Sequence, residues 1–100
     1  MKKIEAIIRK EKFEEVCRML ENSGVGGITV TQAQGFGNHR NGLKEKVKIE
    51  IYADEFQADK IVEMIRQTAK TGTSGDGKIA ILPLEKIYRI RTGEQGASAI

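Results

Sequence analysis

Lys3, Ile4, Glu5 and Ala6 alternate polar and apolar at the start of the segment that continues through Ile7, Ile8 and Arg9, and that period of two predicts a strand over residues 3–9. Phe13, Val16, Cys17 and Leu20 then fall at i, i+3, i+4 and i+7, which predicts an amphipathic helix over residues 12–22. Ser23 and Gly24 supply its stop, glycine tolerating the left-handed conformation that closes a helix. Residues 27–31 carry alternating β-branched side chains and read as a second strand. Val47, Ile49 and Ile51 alternate with Lys46, Lys48 and Glu50 in a third. Asp54 followed by Gln57 resembles a capping box, with a carboxylate in place of the usual hydroxyl. Ala58, Ile61, Val62, Ile65 and Ala69 then mark a second amphipathic helix, with Gly72 as its close. Residues 79–82 form a short apolar strand before Pro83, and residues 87–91 a further extended piece.

The resulting order is β-α-β-β-α-β. It predicts an α+β, ferredoxin-like fold: an antiparallel sheet with two helices on one face. Residues 1–92 make one domain, and residues 93–100, small and polar, a flexible C-terminal tail. Such a fold hosts RNA-recognition motifs, metal-ion chaperones and small-molecule regulatory domains, so the site must decide the function.

Composition narrows the choice. One hundred residues fit a single domain, and a domain so small gains from oligomerisation. The single cysteine, Cys17, excludes a disulfide framework or a Cys-rich zinc site, and its place on the helical stripe makes it a small core residue. No apolar run approaches the roughly 20 residues that span a bilayer, and no signal core follows the start, so a cytoplasmic protein without membrane insertion is expected. The net charge of +3 comes from interleaved acids and bases, the pattern of a solvated surface, with a local excess at Lys86, Arg89 and Arg91. His39 is the only histidine, so no Ser-His-Asp or Cys-His set is marked and an enzyme is not expected.

Phosphate chemistry is better represented. Residues 71–78 contain G-x-x-x-x-G-K from Gly72 to Lys78, but Ile79 stands where a Walker loop needs Ser or Thr. The segment also runs from helix to strand, the reverse of a P-loop. Small residues there could bring backbone N–H groups and Lys78 to an anion, or could simply connect two elements. Arg89 and Arg91, two apart in an extended piece, would project from one face and could share an anion or each pair with a carboxylate. Gly35, Phe36 and Gly37 after the second strand permit close approach of a ligand, or turn the chain.

Taken together, the opening MKKIEAII, GITVT at 27–31, GFG at 35–37, KVKIE at 46–50, TGTSGDGKI at 71–79 and RIRTG at 89–93 resemble the PII signal-transduction family over nearly the whole chain. The resemblance implies a homotrimer that binds ATP or ADP, with magnesium possible beside ATP, in clefts between subunits. It implies that Gly75, Asp76, Gly77 and Lys78 surround the phosphates and that Arg89 and Arg91 reach them from the adjoining subunit. It places Gly35 and Gly37 at the base of a signalling loop, Glu50 near the adenine, and Ile7, Phe36 and Asn38 in the same nucleotide site. Lys46 matches the lysine that binds the carboxylate of 2-oxoglutarate. The implied output is control of nitrogen and carbon metabolism through an ammonium transporter, a metabolic enzyme or a transcriptional regulator.

Departures from the family pattern carry their own expectations. Only residues 38–45 separate GFG from KVKIE, where the family has a much longer loop that often bears a modified tyrosine. His39 replaces a glutamine that helps hold magnesium, which implies a weak or altered response to 2-oxoglutarate; no residue is assigned as a metal ligand. The competing function is an RNA-binding module of the RNA-recognition type. Its central strands would need stacking aromatics, and here they offer only Tyr52, so no nucleic-acid partner is expected.

Overall fold

The computed structural model describes residues 1–38 and 42–100. Strand β1 covers Lys2–Arg9, helix α1 Phe13–Glu21, β2 Thr29–Gly35, β3 Lys44–Ala53, α2 Glu55–Ala69 and β4 Gly77–Pro83. The sheet runs β2-β3-β1-β4 with every neighbouring pair antiparallel. This is the ferredoxin-like topology expected from the element order. Asp54 caps α2, its Oδ1 accepting from the backbone N–H of Phe56 at 2.9 Å and of Gln57 at 3.0 Å.

Alternation decides which face is covered. Ile4, Ala6 and Ile8 of β1 stand opposite Ile51, Ile49 and Val47 of β3, and all six are buried. They pack with Val16 and Leu20 of α1 and with Ala58, Ile61, Ile65 and Ala69 of α2 in one core. A slip of one residue would carry Glu5 and Lys48 into that core, so the register is firmly set. Truncating a central member such as Ile49 to alanine would cost about 2–5 kcal/mol.

The opposite face is uncovered by any helix and is charged. Glu5 and Glu50 stand directly opposite each other, an arrangement that would be repulsive alone. Lys3 offsets it, with Nζ 2.7 Å from Glu50 and 3.4 Å from Glu5, and Lys48 lies 3.8 Å from Glu5 and 3.9 Å from Glu50. The hydrogen bond with Lys3 lowers the Glu50 pKa and raises that of Lys3.

Several boundaries differ from expectation. β2 begins and ends later than residues 27–31, because pairing with β3 runs from Thr29 opposite Glu50 to Gly35 opposite Lys44. Helix α2 ends at Ala69, where Lys70 turns extended, so Gly72 belongs to the following loop instead of closing the helix. Cys17 is only half-buried at the edge of the α1 stripe; partial burial, and the Glu21 carboxylate 3.6 Å away, raise its pKa. Residues 87–91 are not a strand. Tyr88 makes one bridge to Gln95, and the chain reverses at residues 90–92, where the Gly93 N–H donates to the Arg89 carbonyl at 2.8 Å. The expected tail then forms a 3-10 turn at Gly96–Ala99, and Ile100 lies against Gly26.

Candidate functional site

The loop of residues 71–78 is built around one carboxylate. Asp76 Oδ2 accepts from the backbone N–H groups of Thr71 and Gly72, both at 2.9 Å. Its Oδ1 accepts from the Thr71 hydroxyl and, at 3.0 Å, from Arg9 Nε. These donors favour the ionised form, the Thr71 hydroxyl most, so the Asp76 pKa is driven far below the ordinary carboxylate range. Asp76 therefore serves as the loop's own internal anion.

Two strands hold this loop from below. Arg9, the last residue of β1, donates through Nη2 to Thr73 Oγ1 at 2.9 Å and to the Ser74 carbonyl. Lys46 of β3, directly opposite Arg9 in the register, donates to the Gly75 carbonyl at 2.6 Å. Glycine is required at two points here. Gly75 has φ of +96°, and a Cβ there would sit 3.2 Å from Arg9 Nη2. Gly77 has φ of +102°, and a Cβ would meet the Ile7 carbonyl oxygen at 1.8 Å. Gly77 is thus where the loop enters the ladder beside β1.

A cleft of about 400 Å³ opens beside the loop, lined by Ile7, Gly72, Asp76, Gly77 and Lys78 together with Arg66 of α2. Lys78 has no side-chain partner among the described residues. Gly35 ends β2 at the same end of the sheet, opposite Lys44. Phe36, Gly37 and Asn38 continue from it; Gly35 and Gly37 have ordinary φ and nothing within 4 Å of an added Cβ, so close approach within this chain does not demand them. His39 lies outside the described residues.

The remaining predicted residues gather at the other end. Glu50 and Tyr52 line a second, smaller cleft of about 220 Å³ with residues 26–29, Ala99 and Ile100. Arg89 Nη2 donates to the carbonyls of Ser98 at 3.1 Å and Ile100 at 3.4 Å, which anchors the guanidinium beside this cleft. Arg91 stands in the exposed turn after it with no partner among the described residues. From the Tyr52–Lys3 level to the Ile8–Gly77 level is five residues of β1, ~17 Å of strand, and from β3 to β4 is two strand spacings, ~10 Å. An arginine side chain does not bridge that gap. One chain separates Arg89 from the loop that the family resemblance pairs it with.

Sequence reasoning missed Arg9. Its partners lie more than sixty residues ahead, and a strand-terminal arginine has no local signature. Among the described residues there is no group of three His, Cys, Asp or Glu placed to hold a metal, and no helix long and apolar enough to cross a membrane.

Comparison with known proteins agrees with the geometry. The family described as Nitrogen regulatory protein P-II matches residues 1–94. Proteins named Nitrogen regulatory protein P-II from Azospirillum brasilense, Nostoc punctiforme and Synechocystis are 44%, 42% and 43% identical, each alignment covering all of both chains. Those alignments are 112 positions long against the 100 residues here, so twelve positions have no counterpart in this chain. With its fold, its glycine loop and its full-length likeness in accord, the chain belongs to the nitrogen regulatory protein P-II family, and is a regulator of nitrogen metabolism, not an enzyme.

Proposed function

We propose that this protein senses ATP and ADP at a site shared between subunits of a homotrimer, and passes the signal to partner proteins. The observation that carries this reading is the separation within one chain. The glycine loop with Lys78 sits at one end of the sheet, and the C-terminal turn with Arg89 and Arg91 sits at the other. If both serve one phosphate chain, a second protomer must supply the arginines. The helix-free sheet face, with Ile7, Ala80 and Leu82 among its charges, is the surface on which protomers would meet.

Each residue then has a task. Lys78 supplies a mobile cation to the phosphates and Arg91 a planar fork from the neighbour. Arg89 joins it once its hold on the Ser98 and Ile100 carbonyls is exchanged for phosphate oxygens. Glu50 is committed to Lys3 and Lys48, so an adenine contact through it needs that network to open. Among the described residues Lys46 meets only the neutral Gly75 carbonyl, which leaves its charge available to a carboxylate such as that of 2-oxoglutarate. Asp76 would be a poor ligand for magnesium, because both its oxygens already accept from the protein. An RNA-recognition role finds little here: β1 and β3 present the Lys3, Glu5, Lys48 and Glu50 network where stacking rings would be needed.

Mixed trimers test the shared site. Lys78→Ala and Arg91→Ala should each weaken ATP binding in homogeneous trimers. Refolding the two variants together should restore tight sites wherever an intact loop meets an intact arginine. No recovery by calorimetry, with mixed trimers verified by mass, would place both groups in one chain's site and sink the proposal.

A further inference from the structure

We propose that Arg9 is a positioning residue for nucleotide binding: it neutralises and aims Asp76, and thereby fixes the loop of residues 71–78 in the shape that admits phosphates. This rests on the nucleotide reading above. An aspartate inside a phosphate-binding loop is at first sight a liability, since it sets like charge beside the ligand. Here that charge is consumed internally. Asp76 accepts from Thr71, Gly72 and Arg9, and Arg9 alone among these donors carries a positive charge.

Two further observations point to Arg9. Its guanidinium engages three different groups of the loop, the Asp76 carboxylate, the Thr73 hydroxyl and the Ser74 carbonyl, so it fixes direction as well as charge. Gly75, by lacking a Cβ, leaves the room that this guanidinium fills. The register also sets Arg9 opposite Lys46, a like-charged pair that costs stability across strands. Both cations are turned onto the loop, which offsets that repulsion.

Lysine at position 9 would keep the charge but lose the fork, and this separates aiming from simple neutralisation. Arg9→Ala and Arg9→Lys should each weaken ATP binding at least tenfold, with trimer mass unchanged. Amide exchange at Thr71 and Gly72, measured without nucleotide, should accelerate in both variants. Adding Asp76→Asn to Arg9→Ala should weaken ATP binding no further, because the two act as one unit. Wild-type affinity in Arg9→Ala, or full rescue by Arg9→Lys, overturns the proposal. Should wild type bind neither ATP nor ADP, the nucleotide reading alone fails. Exchange then decides the rest: unchanged protection in both variants overturns the role of Arg9 in setting the loop, and lost protection supports it.

Discussion

Replacing Gly77 by alanine should be the most damaging single-methyl change in the glycine loop. The added Cβ would stand 1.8 Å from the Ile7 carbonyl oxygen and 2.8 Å from its carbon, so β1 and β4 must part by more than an ångström. β1 cannot yield freely, because β3 pairs with its other edge from Lys2 to Arg9. A φ of +102° adds its own penalty, about 1–2 kcal/mol for an L residue in left-handed backbone. Opening the end of the ladder forfeits one or two hydrogen bonds at ~0.5–1.5 kcal/mol each. The total is about 2–5 kcal/mol, a large share of the 5–15 kcal/mol typical of a domain. Melting followed by circular dichroism, at fixed protomer concentration, should fall by at least about 10 °C. Gly37→Ala is the control: with ordinary φ and open space it should stay within about 0.5 kcal/mol of wild type. If Gly77→Ala melts with the wild type, the backbone approach at Ile7 is not what fixes glycine there.

Four further outcomes are expected. Arg91→Ala should weaken ATP and ADP binding by ~1.5–3 kcal/mol without moving the melting temperature, whereas Arg89→Ala should also lower stability by releasing the Ser98 and Ile100 carbonyls. Calorimetry beside melting separates the two. The Asp76 pKa is depressed on folding, so its contribution is present above about pH 4, the unfolded value, and is lost as acid carries it towards its folded value. Asp76→Asn should therefore flatten the acid limb of melting temperature against pH and leave the curves parallel above pH ~5. Light scattering should return three times the 11.1 kDa protomer mass; a monomer would remove the shared site. Incubation with a tyrosine nucleotidyltransferase should leave the intact mass unchanged, since Tyr52 lies in β3 and Tyr88 bridges to Gln95, neither in the connection between β2 and β3.

The sheet was legible because polar and apolar residues alternate over Lys3–Ala6 of β1 and Lys46–Ile51 of β3, and their apolar sets meet across the ladder at Ile4–Ile51 and Ala6–Ile49. The helices were legible through Asp54 and through the stripes that Val16, Leu20, Ile61 and Ile65 complete. The C-terminal piece misled because Ile87 and Ile90 look strand-like, yet no neighbour among the described residues offers a ladder, and the Gly93 N–H closes a turn on Arg89 instead. The glycine loop announced itself by composition, but its inner order did not. The bonds that Asp76 accepts from Thr71, Gly72 and Arg9 join residues with no shared local signature. Nor could spacing along the chain reveal that the arginines and the loop lie at opposite ends of one protomer.

The connection between β2 and β3 holds only the eight residues 36–43. Going out and back, such a segment extends at most about 14 Å beyond the sheet, whatever shape it adopts. Twelve more residues would add ~20 Å to that span. A receptor with a deep vestibule would be probed by a long finger and only brushed by this one. Any protein that reads this regulator must therefore come to its surface, and under the nucleotide reading proposed above the message would be written in the shape of the rim around the loops, not in the posture of an arm.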